Sequence, residues 1–231
     1  MTEKAIALLS GGLDSYVSTA LARQNLKVSH ALTFDYGQRA VAQEIKAASR
    51  QAKFWRIKHS VIELPWLKNL GDSALTNPRT LLPRFRDLEK LKKKSETEKS
   101  AEAVWIPNRN GVFINIAAAF AEVQGATFII TGFNREEAAT FPDNGSDYVH
   151  RINRALELST LIYPPKVKSF VQEMNKKEMV KKFFELDLSI DFFWSCYEGG
   201  NKMCGSCESC ARTKAAFQSE EMGEKIEFRF S

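Results

Sequence analysis

The stretch AIALLSGGLDSYVSTALA, residues 5–22, decides how the rest of the chain is read. Five apolar residues, Ala5 to Leu9, lead into Ser10-Gly11-Gly12-Leu13-Asp14-Ser15 and then into apolar residues at helical spacing. A buried strand passing through glycines into a helix makes an anion cradle. Glycine lets backbone N–H groups turn towards a ligand, and the first amides of the helix, with its positive dipole end, favour negative charge. Ser10 and Ser15 add hydroxyl donors. The loop lacks the Gly-Lys-Ser/Thr ending of a nucleotide-triphosphatase phosphate loop and the G-x-G-x-x-G spacing of dinucleotide folds. A plain strand-to-helix turn capped by Ser15 is the other reading. Among phosphates, Asp14 makes sense as a Mg²⁺ partner or as a brace for the loop.

Outward from this loop, strand-like and helix-like segments alternate. Residues 28–37, 54–64 and 127–131 read as strands, and 39–52, 111–125, 147–160 and 175–188 as helices, the last opened by a capping box of Asn175 and Glu178. This alternation predicts an α/β fold with a doubly wound, mostly parallel sheet. The expected organisation is an α/β domain over residues 1–190 and a C-terminal segment over 191–231 packed on its core. Residues 83–105, dense in both signs of charge, interrupt the alternation as a solvated helix, a mobile loop or a lid. The 231 residues are 44% hydrophobic with a net charge of +5, which suits a phosphate-bearing ligand or RNA without choosing between them. No stretch reads as a secretory leader or a membrane span, so a cytoplasmic setting is expected.

Four cysteines, Cys196, Cys204, Cys207 and Cys210, follow one another as C-x7-C-x2-C-x2-C. Two intervening residues let two thiolates reach one ion through a tight turn, and four complete a closed tetrahedral shell suited to structural Zn²⁺. An iron–sulfur cluster takes the same ligands. The three histidines have no partner spacing for a metal site or a triad and are expected to be structural or exposed. Lys166 and Lys168 read equally as phosphate binders and as solvated lysines.

The SGG-x-DS loop resembles that of the adenine-nucleotide α-hydrolases. With DYGQR (35–39), PNRNGVF (107–113), TGFNREEAATFPDN (131–144) and CGSCESCARTKAAF (204–217), nearly the whole chain resembles the 7-cyano-7-deazaguanine synthase family. The resemblance implies a Rossmann-like fold and ATP held by Leu9, Ser10, Gly11, Gly12, Leu13, Asp14 and Ser15. Backbone near Phe34 and Tyr36 would meet adenine and ribose. It also implies a pocket with Arg109 as a fixed positive charge, Phe133 and Phe141 stacked on a base, and Asp143 and Asp147 as acidic partners of the base edge. Arg109 also reads as half of an ordinary salt bridge, and both phenylalanines as packing. Asp14 and Arg109 are the expected catalytic residues. The commoner bacterial Tyr-Pro-Asp-Cys-Arg is replaced by Phe141-Pro142-Asp143-Asn144-Gly145, so no role passes to a cysteine or arginine there.

The implied reaction joins 7-carboxy-7-deazaguanine and ammonia at the expense of Mg-ATP, through adenylated carboxylate and amide, to a nitrile. It implies one structural zinc per chain, a homodimer, and no membrane or nucleic-acid partner. An adenylating enzyme acting on tRNA or protein, and a zinc-stapled ATP- or RNA-binding module without activity, are the rival readings.

Overall fold

A computed structural model describes residues 2–85, 91 and 93–231. The four predicted strands and one further strand, β5, form one five-stranded sheet: β1 (Lys4–Leu8), β2 (Lys27–Asp35), β3 (Lys58–Glu63), β4 (Phe128–Thr131) and β5 (Lys166–Ser169). All neighbours are parallel and the order is β3-β2-β1-β4-β5. The chain builds outward from β1 to β3, then crosses back to lay β4 on the other side of β1. Connections leave β1 and β4 in opposite directions, which opens a crevice at the carboxyl ends of those two strands.

Sequence explains the layers. Along β1, Ala5 and Ala7 face one core while Ile6 faces the other, the period-2 pattern of a sheet covered on both sides. Helices α1 (Leu13–Ala22) and α2 (Val41–Trp55) cover the alanine side. On the opposite side lie α4 (Arg109–Gln124), with Ile114, Ala117, Ala118 and Ala121 fully or nearly buried, and α6 (Ser146–Ser159). Helix α7 (Lys176–Glu185) begins with the expected capping box. Helix α2 continues to Trp55, so the strand expected from residue 54 begins at Lys58. Helix α4 starts at Arg109 and ends at Gly125, which takes the left-handed conformation glycine adopts freely.

Part of the charged interruption, residues 86–90 and 92, lies outside the described residues. The remainder contains α3 (Lys94–Val104), whose Thr97, Ser100, Ala101 and Val104 are buried. Of the readings open for this segment, a helix solvated all round does not describe α3. Beyond a short helix α5 (Arg135–Ala138), the C-terminal region contributes α8 (Glu208–Ser219) and α9 (Gly223–Glu227). Phe217 of α8 packs against Phe183 of α7 and against Phe193, with ring centroids 6.2 Å apart in both pairs. Cys196, Cys207, Cys210, Phe217 and Phe230 therefore belong to the same buried cluster as Ala5, Tyr16 and Val17.

Candidate functional site

The loop after β1 closes on itself. Ser10 N–H donates to Ser15 Oγ (3.2 Å), Gly12 N–H donates to Ser10 Oγ (3.2 Å), and the two hydroxyls lie 3.0 Å apart. Gly12 occupies the N-cap of α1 without a side-chain cap, so the first amides of that helix keep their donor capacity. The two glycines differ in purpose. Gly11 has φ +78°, and a Cβ there would lie 2.4 Å from the carbonyl oxygen of Glu44. Its place is a packing contact with α2, and it does not line the cleft. Gly12 does line it, and its missing Cβ would meet little else than Ser10 Oγ at 3.3 Å. On the other side of the crevice Gly132 lets the end of β4 approach α1, where a Cβ would lie 2.7 Å from the amide nitrogen of Ser15.

A cleft of about 280 Å³ opens over this loop. Leu9, Ser10, Gly12, Leu13, Asp14, Ser15, Phe34, Tyr36, Arg109, Phe133, Phe141 and Asp143 all line it, drawn from the ends of β1, β2 and β4, the start of α4 and the turn before α6. Asp147 does not. It sits exposed in the first turn of α6, bonded to Arg151 four residues on at 2.9 Å, an ordinary helix-surface pair. Lys166 and Lys168 are exposed on edge strand β5, Lys168 lying over the rings of Phe128 and Phe170. His30 and His59 are held structurally, by Ser60 and Gln124 and by Thr33 respectively, and His150 is exposed.

Asp14 is braced as well as placed. Lys176 Nζ donates to both of its carboxylate oxygens, at 2.6 and 2.5 Å, and Asn134 Nδ2 to one at 3.3 Å. Burial pushes the Asp14 carboxyl up to about 7, against the pull of Lys176. Burial alone would lower the Lys176 ammonium, but Asp14, Glu137 and Glu136 around it raise it. Lys176 itself was not singled out in the sequence. The signal lay in the capping box, which fixes the first turn of α7 and aims the residue after Asn175 at the loop.

Arg109 donates to Tyr36 Oη at 3.2 Å, and its guanidinium lies 5.6 Å from the centre of that ring. Burial opposes its charge, but Tyr36 and Asp143 outweigh burial and raise its pKa. Burial raises Asp143 in turn, against Arg109 and the amides of Asn144 and Asn110. The DYGQR segment is fastened by Gln38, which accepts from Tyr36 N–H (3.0 Å) and donates to the Phe34 carbonyl (3.0 Å) and to Glu44 (2.7 Å). Within the backbone near Phe34 and Tyr36 that the resemblance places against adenine and ribose, the Tyr36 amide is thus already paired. Glu44, another lining residue the sequence reading missed, is pushed up to about 7 by burial, with Gln38 and Arg109 opposing. Arg109 and Lys176 face four carboxylates across the cleft: Asp14, Glu44, Glu137 and Asp143.

Beside the cleft the four cysteine sulfurs all lie within 4.8 Å of one another, none in a disulfide. Cys204 and Cys210 Sγ are 3.9 Å apart, near the edge of a sulfur tetrahedron around Zn²⁺ with bonds of about 2.3 Å. Cys196 Sγ accepts from the amides of Glu198 and Cys204, both at 3.3 Å, and Cys204 Sγ from that of Cys207 at 3.2 Å. Donors converging on sulfur suit thiolates, so the donor set fits a closed-shell metal ion. Glu208, one residue past Cys207, is buried and accepts from Ser100 of α3 and from Arg212. Arg212 also donates to Glu136 at 2.6 Å, and Glu136 accepts from the Lys176 amide at 3.0 Å. A continuous polar chain therefore joins the cysteine cluster to Asp14.

Residues 4–221 match the family model described as Queuosine biosynthesis protein QueC. The chain belongs to this family. It is 49% identical over 209 residues to the 7-cyano-7-deazaguanine synthase of Pelotomaculum thermopropionicum, covering 90% of this chain and 94% of that one. It is 44% identical over 217 residues to the enzyme of that name from Methanosarcina mazei, covering 93% and 94%. Among solved structures, an NMN synthetase from Francisella tularensis aligns over 99% of this chain and 87% of that one, with a TM-score of 0.46 and 12% identity. In family terms, the resemblance read from the five motifs holds, and with it the parallel α/β fold. The motifs lie together around one crevice, which the cysteine segment also lines through Cys196 and Ser209.

Proposed function

We propose that the chain is an ATP-dependent ligase forming a carbon–nitrogen bond, which converts 7-carboxy-7-deazaguanine and ammonia to 7-cyano-7-deazaguanine. The observation that carries this reading is the meeting, in one cleft at the strand-order reversal, of an amide-and-hydroxyl anion cradle with an aromatic and acidic rim. Relatives bearing that enzyme's name extend over nine-tenths of both chains.

A carboxylate resists ammonia because it is anionic and oxide is a poor leaving group. Attack of the carboxylate oxygen on the α-phosphorus of ATP expels pyrophosphate and turns that oxygen into part of AMP. Ammonia then adds to the carbon, and AMP leaves with formation of the amide and release of a proton. A second attack, by the amide oxygen on another ATP, again expels pyrophosphate. Loss of AMP and of the two N–H protons completes the C≡N bond. Each round needs the same alignment, so positioning and charge stabilisation carry the rate. That agrees with the lining of the cleft among the described residues, which includes no histidine to serve as base for a serine or cysteine.

In this reading the free amides of α1, with Ser10 and Ser15, receive the phosphates, and Arg109 offers fixed charge to phosphate or substrate carboxylate. Mg²⁺ would neutralise the triphosphate, and the carboxylates facing it account for how a cleft richer in acids than in cations accepts a polyanion. Asp14 acts as the brace that, with Lys176, holds the loop. Asp143 accepts N–H donors from the base edge, and Phe133 and Phe141 supply ring faces. Cys196, Cys204, Cys207 and Cys210 would hold one structural Zn²⁺, with no open position for water, in a reducing, cytoplasmic setting that keeps them free thiols. Among the described residues no helix is long and apolar enough to cross a membrane.

Incubation of purified protein with Mg-ATP, 7-carboxy-7-deazaguanine and ammonium tests the proposal. Mass spectrometry of the base is expected to show the nitrile, with an amide on the way, and AMP as the nucleotide product. ADP in place of AMP would overturn the adenylation steps, and ATP binding without turnover of the base would overturn the substrate assignment.

A further inference from the structure

The proposed reaction has to dispose of protons inside the cleft. Ammonia sheds one as the amide forms, and both amide N–H protons must go before the carbon–nitrogen triple bond is complete. Among the described residues the lining holds no histidine, and burial pushes the Tyr36 phenol up to about 12, so carboxylates are the acceptors at hand. The four carboxylates of the lining are not equivalent. Both Asp14 oxygens accept from Lys176 Nζ, and Glu137 lies 3.5 Å from the same ammonium. Asp143 accepts from Asn144 at 3.0 Å and stands on the rim assigned to the base edge. Glu44 forms no ion pair among the described residues. Its Oε2 accepts from the neutral Gln38 amide at 2.7 Å, and its Oε1 has no hydrogen-bond partner there. A carboxylate with one oxygen anchored and the other open is oriented and still able to take a proton.

The position of Glu44 is fixed as well. It belongs to the first turn of α2, and its carbonyl oxygen abuts the loop after β1, 2.4 Å from where a Cβ on Gly11 would stand. Gln38, which orients the carboxylate, is buried and tied to the Tyr36 amide and the Phe34 carbonyl. Of the ionisable groups around it, Arg109 of α4 favours its charged form and Asp35 at the end of β2 opposes it, while Tyr36 stays a neutral phenol. Burial is the largest influence and sets the carboxyl at about 7, where it can take and return a proton near neutrality. Burying a carboxylate without a cation costs stability, so packing gives no reason for one at this place.

We infer that Glu44 is a catalytic proton acceptor of this site, taking through Oε1 one N–H proton in each of the two rounds. The inference rests on the proposed function and supplies that reaction with its base. In the first round Glu44 takes a proton from the nitrogen of the ammonia adduct as AMP leaves. In the second, the adenylated amide carries two N–H bonds, and one proton passes to water. Glu44 takes the other, the N–H electron pair becomes the last π bond of the nitrile, and the C–O pair leaves with AMP. The Glu44 acid then returns its proton to solvent through the open cleft.

Supplying the whole enzyme with the amide, 7-amido-7-deazaguanine, and Mg-ATP isolates the second round from the ammonium equilibrium. Wild-type kcat/KM for the amide, followed as nitrile by mass spectrometry, is expected to rise with pH to a plateau above about 7. Glu44→Gln should lower kcat by about a hundredfold or more and abolish that rise, while KM for ATP stays within about threefold. Glu44→Asp, which keeps a carboxylate at shorter reach, should retain the rise and more of the rate. The unfolding temperature of Glu44→Gln at pH 8 is expected to be no lower than that of wild type, which separates lost chemistry from lost folding. A Gln variant that keeps the wild-type rate or the pH-dependent rise, or whose only change is a raised KM for ATP, overturns the inference and leaves the proposed function standing. Turnover lost together with folding, and no better in Glu44→Asp, overturns it too. A wild-type enzyme that binds ATP but leaves the amide unchanged overturns the nitrile-forming reading, and the inference with it.

Discussion

Glu44 carries a consequence that contacts alone do not reveal. Its carboxyl ordinarily titrates at 4.5, but burial in the cleft raises it to about 7, with Asp35 adding to the rise and Gln38 and Arg109 opposing it. Below about pH 4.5 the group is protonated in folded and unfolded chains alike, and its favourable contribution is fully present. Between about 4.5 and 7 the folded chain holds a proton the unfolded chain has released. Stability therefore falls as pH rises through that window, by an amount on the order of 3 kcal/mol. Glu44→Gln removes this slope and is expected to leave the protein more stable than wild type at pH 8. Urea unfolding at pH 5 and pH 8 checks it, and an unchanged slope in the variant would remove Glu44 as the source. Asp14 belongs to a different case, since Lys176 is bound to it and the two titrate as a pair.

At the scale of elements, the loop between β1 and α1 separates two uses of glycine. Gly11→Ala places a side chain at positive φ and 2.4 Å from a backbone carbonyl of α2, which no rotamer relieves. It is expected to cost several kcal/mol, on the order of 3 or more, or to prevent folding. Gly12→Ala has extended backbone and only a hydroxyl nearby, so thermal unfolding should move by no more than a few degrees. Its new methyl group instead enters the cleft, and ATP affinity should fall tenfold or more. Parallel measurements of unfolding temperature and ATP binding on the two variants check this contrast. The reverse pattern would mean that Gly11, not Gly12, faces the ligand.

Over the whole molecule, the cysteine segment is stitched to the sheet three ways. Phe217 enters the core beside Phe183 and Phe193, the Trp194 amide donates to the Gly11 carbonyl at 2.9 Å, and Glu208, Arg212 and Glu136 lead to Lys176. If the four cysteines hold a metal ion as proposed, its release should therefore loosen the core and not merely fray a tail. Chelation is expected to lower the unfolding temperature by about 10 °C or more in a single transition. Emission spectrometry should find one zinc per chain. A separate early transition would make the segment an independent unit, and visible absorption from iron and sulfide would replace zinc with a cluster.

Local chemistry is legible in the residues themselves. Alternating periodicities specify a parallel sheet, because a strand with apolar residues on both faces must be covered on both. Glycines between a strand and a helix mark the candidate cradle, four closely spaced thiols mark a cluster that could hold a metal ion, and Asn175 with Glu178 marks a helix start. Tertiary structure alone decided which residues share a space. Asp147 has the right chemistry but faces solvent, because it falls on the outer side of α6. Gly11 and Gly12 are the same residue type, yet only the approach of α2 shows that the first packs on a helix and the second lines the cleft. Lys176 and Glu44 reach the cleft from distant segments, Lys176 beside a capping box that marks only a helix start and Glu44 in a stretch with no motif of its own. Their roles depend on crossovers that return each segment to the edge of one crevice, and on burial that a sequence pattern does not measure.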